Sequence, residues 1–80
     1  MLPILATFAP DGRNVEPAEH DGEEFVYVLK GTLLAEIEGH EPVVLRTGDS
    51  LYFTAELPHS YANGASGTTE VLFVITPPHL

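Results

Sequence analysis

The chain has 80 residues, no cysteine, and 12 acidic against 3 basic side chains, a formal net charge of -9 at pH 7. That length confines it to one domain, 1–80. Three cations cannot neutralise a run of phosphates, so no direct nucleic-acid contact is expected, and neither a disulfide framework nor a zinc-thiolate knuckle can form.

No apolar run approaches the ~20 residues that cross a bilayer. Met1–Pro10 lacks the basic start of a signal peptide, so a cytoplasmic domain with no membrane partner is expected. With 44% hydrophobic and 19% charged residues the chain has a globular balance rather than a disordered one. A domain this small buries only roughly 60–65% of the surface its unfolded chain exposes. Help from a partner subunit, a metal or a longer parent chain is therefore expected.

Seven prolines and seven glycines recur throughout, and no window shows a helical period. Short β-branched or aromatic runs followed by turn signals recur instead. Residues 2–8 read as a strand, an edge one because of Pro3. Asp11-Gly12 is a turn. Residues 24–30 form a strong strand ended by Gly31, and 32–38 form the next, so these two read as consecutive antiparallel strands. Gly39-His40 is a tight connection to 42–46, and Thr47-Gly48-Asp49 is a turn. Residues 50–54 and 59–62 are short strands around a corner at Pro58, Asn63-Gly64 to Gly67 is a loop, and 69–76 is a late strand.

Seven or eight short strands at near-regular spacing predict an all-β sandwich or barrel. Alternation places Leu33, Ala35 and Ile37 on one face of their strand, opposite Leu34, Glu36 and Glu38. In 24–30 and 70–76 both faces are largely apolar. Such strands need cover on both sides, and a homodimer is the simplest source of the second cover.

His20 and Glu24 stand four apart across a glycine turn, and His59 opens a strand far along the chain. Two imidazoles and one carboxylate are the donor set of a facial triad, suited to iron, zinc, manganese or nickel. Without a metal, the same three groups serve as polar partners of an organic ligand. Tyr61 shares parity with His59 and is expected beside it. Tyr52 or Phe53 is expected as a pocket wall. Serine catalysis is not expected, because Ser60 faces away from His59 and no strained elbow surrounds Ser50. Glu36, Glu38, Glu41 and Glu70 read as a solvated face, and His79 as part of a tail.

Two spacings carry a resemblance. His20-x3-Glu24-x6-Gly31 resembles the second half of the first cupin motif, and Gly48-x10-His59-x3-Asn63 resembles the second. Sixteen residues separate the two glycines, a short separation common in that family. The phrases GEEFVYVLKGTL (22–33), GDSLYFTAELPHSYAN (48–63) and VLFVITPP (71–78) resemble the cupin sensor domain of helix-turn-helix transcriptional regulators.

The resemblance implies a double-stranded β-helix, a small jelly-roll barrel with a pocket at one open end. It also implies one divalent metal held by His20, Glu24 and His59. The fourth position of the family's ligand set is Ala18 here, and Glu19, facing the other way on an extended strand, does not replace it. Thr54 and Glu56 stand where the family often has proline and glycine. The resemblance implies a small-molecule-binding domain of the regulator type. The alternatives are a metal-dependent oxygenase, isomerase or decarboxylase acting on an oxygen-rich molecule, and a purely structural subunit.

Overall fold

Alternating apolar residues and a turn signal at each break give seven strands in the computed structural model, which describes residues 1–13 and 21–76. They are β1 (Leu2–Phe8), β2 (Glu23–Lys30), β3 (Thr32–Ile37), β4 (Val43–Arg46), β5 (Ser50–Thr54), β6 (His59–Asn63) and β7 (Thr69–Thr76). The expected strand bounds hold to within a residue. β2 begins one residue early because Glu23 pairs with both Thr54 and Thr76.

The strands form two antiparallel sheets, one ordered β1-β7-β2-β5 and the other β4-β3-β6. β1 is an edge strand, where Pro3 can lack its N–H at no cost to the ladder. The expected pairing of 24–30 with 32–38 does not form: β2 pairs with β5 and β7, and β3 with β4 and β6. Both edges of β2 are already taken, and Gly31, at φ +99°, turns the chain from one sheet into the other. The chain changes sheets again between β4 and β5, at Pro58 between β5 and β6, and between β6 and β7.

The inner rows of the two sheets meet in a core of Val26, Val28, Leu33, Ala35, Leu45, Tyr61, Val71 and Phe73. Leu33, Ala35 and Ile37 are buried while Glu36 and Glu38 are exposed, as alternation predicts. The four-stranded sheet also carries an apolar outer face. Register aligns Pro3, Val74, Phe25 and Tyr52 in one row, and Leu5, Leu72, Tyr27 and Ser50 in the next. A bulge between Val28 and Lys30 shifts the register so that Lys30 sits opposite Glu70, in line with Leu72 and Val74 on that outer face.

The two ends of the sandwich are built differently. At the end where β2 finishes, turns interlock. Gly31 N–H donates to Thr47 Oγ1 at 3.0 Å, Gly48 N–H donates to the Val28 carbonyl at 2.8 Å, and Arg46 N–H donates to Asp49 Oδ2 at 2.8 Å. The buried Thr69 hydroxyl accepts from Thr32 N–H at 3.1 Å and lies 2.8 Å from Asn63 Oδ1. Asn63 Nδ2 in turn donates to the carbonyls of Phe8, Ala9 and Gly67 at 3.1, 2.9 and 2.8 Å. Both motif glycines therefore belong to the scaffold of this end. The opposite end, where β2 and β6 begin, carries the buried Glu24 and His59.

Candidate functional site

Glu24 lies on the inward row of β2, in the same parity as Val26 and Val28, and is 4% exposed. Its register partners are Phe53 on β5 and Ile75 on β7. His59 opens β6 opposite Ile37 and is 3% exposed. Tyr61 follows on the same face, opposite Ala35. A carboxylate, an imidazole and a phenol thus enter one end of the core from two sheets.

Their bonds fix their chemical roles. His59 Nδ1 lies 2.8 Å from the Leu57 carbonyl oxygen, which can only accept, so Nδ1 donates and the Nε2 of a neutral ring carries the lone pair. Nε2 lies 3.4 Å from Glu24 Oε1. The other carboxylate oxygen, Oε2, accepts a short hydrogen bond from the Tyr61 hydroxyl. Burial, then the charge and hydrogen bond of Glu24, push the Tyr61 hydroxyl far above the ordinary phenol range. It stays a donor at any physiological pH. Aromatic rings wall the cluster: Phe53 meets the His59 ring at 5.0 Å and 72°, and Phe73 meets the Tyr61 ring at 4.9 Å and 55°.

Two expected site residues, Glu24 and His59, come together, with Tyr61 beside them. His20, Ala18, Glu19 and His79 lie outside the described residues. Tyr52 is a correction. It is 62% exposed on the outer face, where its hydroxyl donates to Glu23, because Phe53 rather than Tyr52 holds the inward position opposite Glu24. The cleft that Tyr52 lines with Met1, Glu23, Phe25, Val74 and Thr76 measures about 420 Å³ and lies on that outer face, away from His59. The sequence reading named neither Phe73 as a wall nor Tyr61 as the phenol bonded to Glu24. The parity of Glu24 with two valines was the available signal for a buried carboxylate.

Glu24 and an Nε2-presenting His59 fit a divalent cation in donor type and orientation. Among the described residues no group of three or more His, Cys, Asp or Glu side chains could hold a metal, so these two do not complete a site by themselves.

The family model for the cupin domain matches residues 4–75. The chain belongs to the cupin family. This cupin is 31% identical over 74 residues to the HTH-type transcriptional regulator PuuR of Escherichia coli (strain K12), covering 92% of this chain and 40% of the regulator. It therefore spans well under half the length of the curated relative it matches. Among solved structures it resembles the Cupin_2 domain of an XRE family transcriptional regulator from Enterobacter cloacae, with TM-score 0.84, 26% identity, and coverage of 96% of this chain and 81% of that one. Oxalate oxidase in complex with the substrate analogue glycolate shares the fold, with TM-score 0.79, 24% identity, and coverage of 89% and 39%. The cupin fold is thus shown, and the chain is similar to domains of two bacterial transcriptional regulators.

Proposed function

We propose that this cupin is a sensor module of the regulator type, whose buried Glu24–His59–Tyr61 cluster receives a small polar ligand. The cluster carries the reading: it sets directional polar groups inside an otherwise apolar sandwich, as a specific small-molecule site requires. Glu24 and His59 Nε2 present acceptors, and Tyr61 holds Glu24 in place. Phe53 and Phe73 supply flat apolar walls. The likeness to PuuR and to the Enterobacter cloacae domain supports the regulatory setting. Contact with DNA would fall to a segment outside these residues, because this chain is strongly acidic.

Thermal shift against a panel of small polar metabolites tests the reading. A ligand present at ~100 times its Kd adds about 2.7 kcal/mol and moves Tm by several degrees. The shift is expected to vanish in His59→Ala. A shift that His59→Ala retains in full would place the ligand elsewhere and overturn the assignment.

A second reading, a metal-dependent enzyme, draws on the orientation of His59, whose Nδ1 bonds the Leu57 carbonyl while Nε2 faces Glu24. A cation held by Glu24, His59 and His20 would supply Lewis acidity to an oxygen-rich substrate. Metal content of tag-free protein purified without chelator, beside a His59→Ala control, separates the two readings. Near-stoichiometric metal lost in the variant favours the enzyme. No uptake by either protein after soaking with iron, manganese, nickel and zinc favours the metal-free sensor.

A further inference from the structure

The two oxygens of the Glu24 carboxylate have different neighbours. Oε1 lies 3.4 Å from His59 Nε2, whereas Oε2 accepts the Tyr61 hydroxyl. Tyr61 has little room to swing aside. It is 7% exposed, and its ring packs against the His59 ring at 6.0 Å and the Phe73 ring at 4.9 Å. The phenol is therefore a fixed plug on one half of the carboxylate. It is also a neutral donor, and the three cations of the chain stand elsewhere. Lys30 ends β2 and Arg46 pairs with Thr32, both at the far end of the sandwich. Arg13 pairs with Ala62, whose parity is opposite to that of Tyr61. A buried carboxylate in that setting favours a ligand that brings positive charge.

We infer that Tyr61 is a specificity-determining residue: it limits Glu24 to one-point anchoring of a cationic head group, admitting an ammonium and rejecting a guanidinium. This rests on the reading of the cluster as a small-molecule site. A guanidinium presents its N–H groups as a planar fork and binds a carboxylate best through both oxygens at once. Here the second prong would have to land where the Tyr61 hydroxyl sits. An ammonium is a compact point charge with rotatable donors, so Oε1 alone suffices for it.

Calorimetric titration of the full chain with propylammonium and with propylguanidinium tests it, since these probes share charge and tail and differ in the head. The wild type is expected to bind propylammonium roughly tenfold tighter. Tyr61→Phe keeps the ring and opens Oε2, and is expected to erase or invert that preference by binding propylguanidinium more tightly. A merely structural Tyr61 would instead weaken both probes alike. Glu24→Gln is expected to lose both. Equal wild-type affinity for the two probes would overturn the inference without recourse to any variant. So would a preference that Tyr61→Phe leaves unchanged, or a loss of both probes in step. A metabolite from the thermal-shift panel that binds through His59 while propylammonium does not bind would strike this inference alone. Failure of the sensor reading looks different: neither the probes nor the panel would give binding that His59→Ala removes.

Discussion

Gly31 closes the first motif and Gly48 opens the second, and both have positive φ, +99° and +89°. Their surroundings differ. A Cβ on Gly31 would lie 2.4 Å from Thr69 Oγ1, whereas one on Gly48 meets nothing within 4 Å. Gly48→Ala should therefore cost only the left-handed backbone, about 1–2 kcal/mol. Gly31→Ala should cost that and a further ~1–3 kcal/mol, because Thr69 cannot move without losing its bonds to Thr32 and Asn63. Urea unfolding of the pair measures the gap, and equal losses would contradict it. Tyr61 gives a pH test. Its folded pKa is raised, so its contribution is complete below pH ~10 and declines above that, as the unfolded chain ionises and the folded one does not. Stability should fall by up to about 1.4 kcal/mol per pH unit there from this group. Tyr61→Phe should flatten that decline while losing ~1–3 kcal/mol at neutral pH, because Glu24 loses a buried donor. Glu24, His59 and Tyr61 were legible because parity and spacing locate them. Tyr52 was misplaced because β5 offers an aromatic on each face, and only its register against β2 shows which one points inward.

Strand identity was legible almost residue by residue, since period-two alternation and turn residues are local signals. Sheet membership was not. β2 and β3 are separated by a single glycine, yet each finds all its partners elsewhere, and the decision lies in contacts between segments up to about fifty residues apart, as between Glu23 and Thr76. No local pattern encodes that choice; the chain resolves it by burying two inner faces against each other. Position in the sheet then predicts dynamics. β7, β2 and β3 are flanked on both sides, while β1, β5, β4 and β6 each end a sheet, β4 and β5 being among the shortest. Amides of β7 and β2 should exchange with solvent most slowly and those of β4 and β5 fastest. Uniform protection across all seven strands would argue that the edges are covered in solution.

The whole molecule carries -9, and among the described residues the main core cluster has eight buried members. Self-repulsion at that density opposes compaction. Raising salt from 0.01 M to 0.1 M shortens the Debye length from ~30 to ~10 Å. Tm should rise by roughly 2–5 °C over that range. A salt-independent Tm would mean the acidic groups are too widely spaced to act on one another.

Asn63 is followed by Gly64, the pairing in which an asparagine most readily cyclises to a succinimide and ages into aspartate or isoaspartate. That reaction needs the Gly64 nitrogen to reach the Asn63 side-chain carbon. In the folded chain this nitrogen donates to the Thr32 carbonyl at 2.9 Å, and the Asn63 amide is anchored at both ends by Phe8, Ala9, Gly67, Ala65 and Thr69. The fold thus protects a labile covalent position, and damage at Asn63 becomes a slow clock for how often the β1, β6 and β7 junction opens. Once struck, the junction loses the three bonds donated by Nδ2 and gains a charge, so each ageing event makes re-closure harder.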